Sequence, residues 1–363
     1  MTNWLDQLEV GPPGMAEGVA ILPLKLPGDD IEIQTLSQAV EQGVAEVLES
    51  EAVNNLRVGY SSPIPVLIPY LQVVTGGKQD RMITIPIILS PAQTENEVRD
   101  IPVNCVEQGR WAFSRGEQQM SSRFSVHETI RMSPTMGFAN LGASQEATWG
   151  SIRKYRAAKA WAVPQEVASS QSFAEMEEIA AKYVEERKTI NEEIKGLLSR
   201  STDLMANQTG IALFIGKELI GVELYGSSKL WEGQKEGVIN SFISELSLHE
   251  KEEETPQESE LEGILRKTLQ GLALEKTKSV ELGHLYLSKP RKDQDSSALL
   301  IEHHNRVVEF YYAKGQAELL SMEYEGVQRR AQTQEIIQQI VTPEGSVSEL
   351  QRQEFEDEDI EDS

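Results

Sequence analysis

The chain has 363 residues, 39% hydrophobic and 25% charged, which is enough apolar material for a sizeable core and excludes a wholly disordered or collagen-like protein. Its 34 Lys and Arg against 58 Asp and Glu give a formal charge of −24, which disfavours nucleic acid and anionic lipid as partners. The single cysteine excludes an intramolecular disulfide and a zinc site built from cysteines.

The N-terminus carries neither the basic segment nor the apolar run of a secretory signal. Nowhere does the chain approach the roughly 18 consecutive apolar residues of a membrane helix. We therefore expect a cytoplasmic globular protein that makes no membrane contact.

The first third of the chain is rich in predicted strands. Residues 18–26 and 44–48 have strand composition, and residues 66–74 form a nearly continuous apolar run, as expected of a strand buried on both faces. Residues 35–42 are a short helix candidate. Residues 115–142 are polar without a sustained period, and two interpretations stay open, a flap over a site or an insertion.

Two further strands, at residues 82–89 and 98–106, flank a polar segment that contains a proline. The first alternates apolar and polar residues cleanly, and the second does so less perfectly. This pattern predicts an antiparallel hairpin closed near Gln93.

Helices and two more hairpins are predicted downstream. The hairpins centre on residues 216–218 and 303–305 and resemble each other, either as an internal repeat or by chance. The helix candidates are residues 144–161, 172–200, 228–249 and 258–273. The predicted fold class is α+β, an N-terminal antiparallel β-sheet with helices and two further β-hairpins packed on it.

The predicted hairpin of residues 82–89 and 98–106 places Arg81 opposite Val106, within a few residues of register. Residues 78–81 then lie beside residues 105–110. Two polar clusters, each outside the apolar part of its strand, meet at the open end of this hairpin. We expect a ligand site there.

The first cluster is the run Gly76-Gly77-Lys78-Gln79-Asp80-Arg81. Adjacent glycines let a backbone approach a ligand closely, and their N–H groups together with Lys78 and Arg81 suit an anionic oxygen. The alternative is an ordinary turn. The run is not a phosphate loop, because it lacks the longer glycine-bounded loop that ends in Gly-Lys-Ser or Gly-Lys-Thr.

The second cluster is the run Cys105-Val106-Glu107-Gln108-Gly109-Arg110-Trp111. A thiol beside lysine and arginine side chains is favoured as the thiolate, and an indole ring offers a stacking surface for a base or sugar. Cys105 and Glu107 are therefore the candidates for chemistry. The alternatives are a cysteine that only packs in the core and an Arg110 that only pairs with Glu107.

Other candidate functional residues are each supported by a single feature of the sequence. Residues 153–156 with Lys159 are the densest basic patch, which suits phosphate or RNA contact or an ordinary solvated helix face. His127 is a candidate general base if residues 115–142 fold over Cys105. No carboxylate or cysteine stands at ligand spacing near His284, His303 or His304, so we predict no metal site, and the cofactor is unknown.

At the two clusters the chain resembles the first of the two families named the ARG and Rhodanese-Phosphatase-superfamily-associated protein domain. The matching strings are Gly77-Lys78-Gln79-Asp80-Arg81, Cys105-Val106-Glu107-Gln108-Gly109-Arg110-Trp111, Ser144-Gln145-Glu146-Ala147-Thr148-Trp149 and Phe214-Ile215-Gly216-Lys217-Glu218-Leu219-Ile220-Gly221. Family members usually have an acidic stretch before the lysine motif and asparagine before its arginine, where this chain has residues 71–74 and Asp80.

The family name records an association with ADP-ribosylglycohydrolases, so the resemblance implies a link to NAD or ADP-ribose metabolism. The expected ligand is a phosphorylated, nucleotide-like molecule such as ADP-ribose. Gly77, Gln79 and the three cations Lys78, Arg81 and Arg110 hold it, and Trp111 stacks on it. The alternative is a non-catalytic protein whose motif residues form a buried polar network and which binds a partner protein.

The resemblance covers residues 8–313, which we expect to form one α+β domain with two candidate subdomains, residues 8–115 and 144–313. Residues 314–348 are a polar, partly helical extension. Residues 349–363 contain eight acidic residues and one arginine with little apolar content, and we expect this tail to be disordered.

Overall fold

The structure is a computed structural model, and it describes most of the first 315 residues. The described residues are 4–27, 31–48, 50, 52–75, 80–95, 97–106, 123–124, 130–131, 133–162, 192–246, 248–249, 257–288 and 295–315. Several predictions lie outside them, namely those for His127, most of the helix from residue 172, the extension and the acidic tail. The polar segment of residues 115–142 is described in part, and it contains two short strands, Arg123–Phe124 and Ile130–Arg131, and a helix, Pro134–Asn140, that the sequence did not predict.

Within these ranges, twenty strands form four sheets. They are β1 (Glu9–Val10), β2 (Gly14–Ala16), β3 (Val19–Lys25), β4 (Gln34–Thr35), β5 (Ala45–Leu48), β6 (Asn55–Tyr60), β7 (Val66–Ile68), β8 (Gln72–Val74), β9 (Arg81–Met82), β10 (Ile87–Leu89), β11 (Glu97–Pro102), β12 (Asn104–Cys105), β13 (Arg123–Phe124), β14 (Ile130–Arg131), β15 (Gly210–Ile215), β16 (Glu218–Tyr225), β17 (Leu274–Val280), β18 (Gly283–Ser288), β19 (Ser296–His303) and β20 (Arg306–Lys314).

Eight α-helices and one short 3-10 helix, Ser201–Asp203, are described. The α-helices are α1 (Trp4–Gln7), α2 (Leu36–Glu41), α3 (Pro134–Asn140), α4 (Gln145–Ala162), α5 (Glu192–Arg200), α6 (Ser228–Glu232), α7 (Lys235–Leu246) and α8 (Glu258–Gln270). None of these helices is long and apolar enough to cross a bilayer.

The large sheet has nine antiparallel strands in the order β1-β3-β15-β16-β20-β19-β18-β17, with β2 also paired to β3. Strand β3 from the N-terminal region pairs along its length with β15, and β16 pairs with β20. Both predicted hairpins, β15–β16 and β19–β20, therefore lie side by side in one sheet with the N-terminal strand. The α+β class is confirmed.

The two faces of the large sheet bury different elements, because alternate side chains of each strand point to opposite faces. On one face, Leu22 and Leu300 belong to an apolar cluster with Leu261 and Leu265 of α8. On the other face, Ile21 and similar residues pack against the smaller sheets. The core is thus divided into layers on either side of the large sheet.

The predicted hairpin of residues 82–89 and 98–106 is wrong over most of its length. Strand β10 pairs with β7, and β11 pairs with β6, in separate sheets. The prediction holds at the open end alone, where β9 pairs with β12. Alternating apolar residues show that a segment is a strand but do not identify its partner, which explains the error.

The continuous strand predicted for residues 66–74 is also wrong, because the structure divides it into β7 and β8. The turn between them includes Leu71, which is fully buried with φ of 64°, a left-handed conformation rarely adopted by a residue with a side chain. The helix predicted for residues 228–249 is likewise divided. Ser227 caps α6 by accepting from the Leu230 N–H, and α6 ends at Gly233.

Candidate functional site

The two predicted clusters begin on neighbouring strands of one small sheet, which we call the site sheet and which has the order β12-β9-β8-β14. Arg81 on β9 lies opposite Cys105 on β12, one residue from the expected pairing with Val106. The Val106 N–H donates to the Asp80 carbonyl oxygen at 3.0 Å. The described chain therefore enters β9 and leaves β12 at the same end of the site sheet, which we call the rim.

Of the eight predicted site residues, the structure describes Arg81 and Cys105. Strands β8 and β9 pair antiparallel, with Val74 opposite Arg81. The other six predicted site residues lie outside the described residues, and their roles stay predictions: Gly77, Lys78, Gln79, Glu107, Arg110 and Trp111.

Arg81 and Cys105 are both fully buried, with 0% of either residue exposed. Residues directly opposite each other on antiparallel strands have Cβ atoms about 4.5–5.5 Å apart on the same face. A guanidinium carries its charge at any physiological pH, so Arg81 places a fixed positive charge inside the protein beneath the rim. The covered thiol of Cys105 suits packing, since reactive cysteines are partly exposed.

The backbone of Cys105 is held by one side chain from the start of α4. Gln145 accepts from the Cys105 N–H through Oε1 at 2.8 Å and donates to the Cys105 carbonyl oxygen through Nε2 at 2.7 Å. The edge strand β12 thereby gains the two hydrogen bonds that a further strand would supply. Gln145 belongs to the third matching string of the sequence, but nothing in its local pattern indicated this contact.

The neighbouring residue, Asn104, fixes β12 to the same helix. Its Nδ2 donates to the Ala143 carbonyl oxygen at 2.8 Å and to the Thr148 hydroxyl at 2.7 Å. Both Asn104 and Thr148 are buried. The position of Asn104 within an apolar run could have indicated this contact from the sequence, because a buried side-chain amide needs hydrogen-bond partners.

A buried carboxylate positions the other side of the site sheet. Glu309 on β20 has no exposed surface, and both of its oxygens lie 3.2 Å from the Tyr70 nitrogen. The Tyr70 hydroxyl donates to the Gly137 carbonyl oxygen at 2.6 Å. These contacts hold the strained turn at Leu71, from which β8 runs to the rim.

Helix α3, which follows β14 of the site sheet, is anchored by another buried carboxylate. Glu245 on α7 accepts from the Thr135 backbone N–H at 3.0 Å and from the Thr135 hydroxyl, and it contacts the His249 Nε2 at 2.9 Å. Burial raises the pKa of the Glu245 carboxyl, but His249 and Thr135 outweigh this effect and hold the pKa below its ordinary value. The first turn of α3 is thus fixed by an ionised side chain.

The remaining sequence candidates form no second site within the described residues. Arg153 on α4 is exposed, whereas Tyr155 is buried with its hydroxyl 2.7 Å from the Ser244 hydroxyl. His303 and His304 stack at the β19–β20 turn, with ring centroids 3.9 Å apart. The described residues contain no group of three or more His, Cys, Asp or Glu arranged to hold a metal ion.

Comparison with protein families matches residues 7–313 to the ARG and Rhodanese-Phosphatase-superfamily-associated Protein domain. No curated protein matches the chain, and no solved structure matches it. The family match spans every strand of the site sheet and all of the large sheet except Lys314.

Proposed function

The chain belongs to the ARG and Rhodanese-Phosphatase-superfamily-associated protein domain family, and we propose that it binds a phosphorylated, nucleotide-like ligand at the rim of the site sheet. ADP-ribose and NAD are the first ligands to test, because the family name associates the domain with ADP-ribosylglycohydrolases.

One observation carries the proposal, namely the pairing of Arg81 with Cys105 and the Val106–Asp80 hydrogen bond beside it. Because consecutive Cα atoms are about 3.8 Å apart, the residues that precede Asp80 and those that follow Val106 start from the same place. The lysine cluster and the thiol cluster therefore begin at one rim.

Charge supports an anionic ligand at this position. Arg81 contributes a fixed positive charge from behind the rim, and Lys78 and Arg110 are proposed to contact the phosphate oxygens directly. Trp111 is proposed to stack on the base. In a chain with formal charge −24, the two proposed rim cations, Lys78 and Arg110, with Arg81 buried behind them, attract an anion against the prevailing field.

Any chemistry at the rim is assigned to Glu107 rather than to Cys105. The Cys105 side chain has no exposed surface, and its peptide is fixed on both sides by Gln145. A nucleophile must reach its substrate, whereas this thiol is packed as a core residue. Glu107 is a candidate general base that follows Val106 directly, at the rim.

Calorimetric titration of the full chain with ADP-ribose and with NAD tests the proposal. Removing one charge-assisted hydrogen bond costs about 1.5–3 kcal/mol, so Lys78→Ala is expected to weaken binding by roughly 10- to 150-fold. Lys276→Ala, at an exposed lysine on β17, is the matched control and leaves affinity unchanged. Wild-type protein that binds neither ligand at millimolar concentration removes the proposed ligand.

A second candidate function is favoured by the clamps on β12. Gln145 and Asn104 together make four hydrogen bonds from buried or half-buried side chains, which is the arrangement of a structural polar network. In this case the protein is a non-catalytic binding partner of another protein. Glu107→Gln and Arg110→Gln then lower the melting temperature, whereas a ligand site predicts unchanged melting and lost binding.

A further inference from the structure

Within the described residues, strand β11 lies at the edge of its sheet. Its sheet has the order β11-β6-β5-β13, and among the described strands β11 pairs with β6 alone. An unpaired edge presents a row of N–H and C=O groups that can pair with another chain.

The register shows which groups of β11 point to the open side. Just beyond β11, and in the same register, the Val103 N–H donates to the Asn54 carbonyl oxygen at 3.1 Å. Alternate residues of a strand bond to opposite sides, so odd-numbered residues bond to β6 and even-numbered residues face outward. Pro102 falls on the outward side, where its missing N–H costs no bond to β6. The Val98 carbonyl oxygen accepts from the Arg99 Nη1 at 3.4 Å instead of from a strand.

Val98 is also the exposed apolar residue of this edge. It is 41% exposed, and it is the one large hydrophobic residue classed as exposed in the described part of the chain. Edges are usually protected by charged side chains. Edge strand β17 of the large sheet follows that rule with exposed Glu275 and Lys276, and β11 carries Arg99 and Asp100 but also exposes Val98.

We propose that β11 pairs antiparallel with β11 of a second copy of this chain, around a two-fold axis at Val98. In this register the Val98 N–H and C=O groups of the two copies bond to each other. On the opposite face, Glu97 of each copy lies across from Arg99 of the other. These two residues form a non-hydrogen-bonded pair, in which the side chains are closer together than in a hydrogen-bonded pair.

The neighbouring symmetric registers are disfavoured by charge. A two-fold axis at Glu97, Arg99 or Asp100 places that residue opposite its own copy, which brings two like charges together. The axis at Val98 instead joins two apolar side chains and forms two opposite-charge pairs. Among these four registers, the sequence of β11 is self-complementary in the one centred on Val98.

A dimer joined by one short ladder is weak, because specific stable interfaces bury about 1,200–2,000 Å² and the three β11 residues a side that overlap in this register provide less. We therefore expect wild-type dimer at about 100 μM and dissociation on dilution to about 1 μM. Analytical ultracentrifugation of the full chain across this range measures the dissociation constant.

Val98→Pro is the main variant, since proline removes an outward N–H and no bond to β6. We expect the dissociation constant to rise at least 10-fold with the melting temperature little changed. Lys276→Glu on the β17 edge is the matched control and leaves dimerisation unchanged.

A mixing experiment tests the register independently. Glu97→Arg alone sets the introduced arginine against the native Arg99 of the other copy. Arg99→Glu alone sets the introduced glutamate against the native Glu97 of the other copy, so each variant is expected to be monomeric. Mixed in equal amounts, the two variants form two opposite-charge pairs and recover a heterodimer. Wild-type protein that stays monomeric at 100 μM overturns the proposal, as does a dimer that survives both Val98→Pro and the two charge variants.

Discussion

The large sheet and the site sheet are held in place by different interactions. Strands β19 and β20 of the large sheet share eight residue pairs, with one register shift between Ile301 and Glu302, and apolar side chains cover both faces. In the site sheet, β9 shares two pairs with β12 and two with β8. Ladders this short contribute few backbone hydrogen bonds.

The site sheet compensates with side chains that come from distant parts of the chain. Gln145 and Asn104 fix β12 to α4, and Glu309 fixes the turn that precedes β8. The comparison indicates that the large sheet supplies stability, while a few polar contacts set the geometry of the rim. Regions held by few contacts open locally at lower free energy than the rest of a fold.

The comparison predicts its largest effect in the large sheet, at Phe310. This residue of β20 is fully buried, and its ring centroid lies 4.8 Å from that of Trp4. Truncation leaves a cavity, so Phe310→Ala is expected to lower the free energy of unfolding by about 3–5 kcal/mol. Urea denaturation measures this loss, and the midpoints from fluorescence and circular dichroism are expected to coincide.

The control is Arg57→Ala, which removes a half-exposed side chain that makes one ion pair at 3.8 Å. Such surface substitutions change stability by about 0.5 kcal/mol or less. A loss below about 1 kcal/mol for Phe310→Ala would show that the large sheet is not the stabilising region.

The next effect is local, at Gln145. Gln145→Leu keeps the size of the side chain but leaves the Cys105 N–H and C=O without their partner, at a cost of about 1–3 kcal/mol for each group. Cys105 is the one cysteine of the chain, so its reaction with a thiol reagent reports opening of β12 alone. We expect labelling at least roughly 10-fold faster than in wild type, because each 1.4 kcal/mol changes an equilibrium about tenfold.

The matched control for this measurement is Glu146→Ala, at the exposed next residue of α4. Its labelling rate should equal that of wild type. If Gln145→Leu labels no faster than Glu146→Ala, the clamp does not hold β12, and the contrast between the two sheets is lost.

The sequence was informative about elements and much less so about their partners. Strand β3 was predicted from its composition, and β15 and β20 were predicted from the alternation of the two hairpins, in which one residue in two faces a given core layer. Pairing was mispredicted for β10 and β11, since their apolar faces fit several neighbours equally well. The break at Leu71 was missed because its strained backbone depends on surroundings outside the segment.

In the candidate site, too, the sequence predicted one part of the arrangement and missed the contacts that hold it in place. The proximity of Arg81 and Cys105 was predicted within one residue, because both flank a segment short enough to fold back on itself. The residues that hold the site sheet in place were not predicted. Gln145 is 40 positions from Cys105, and Glu309 is 239 positions from Tyr70, so no local pattern joins them.

The smallest predicted effect lies just after β14 of the site sheet, where Glu245 anchors α3. Its pKa is lower in the folded protein than its ordinary value, so it stabilises the fold above that ordinary value and loses this contribution as pH falls through the folded pKa. At pH 7, Glu245→Gln is expected to lower stability by about 1–2 kcal/mol, or roughly 2–6 °C in melting temperature.

Melting temperatures measured from pH 7 down to pH 3 distinguish this effect from a general loss of packing. The wild-type curve should fall more steeply than the Glu245→Gln curve, and the two should converge once the carboxyl is protonated. Glu236→Gln, at an exposed position of the same helix, should follow the wild-type curve throughout. Parallel curves for wild type and Glu245→Gln would mean that packing, not charge, anchors α3. Helix α3 would then be held in place in the same way as the large sheet and not by polar contacts as the site sheet is.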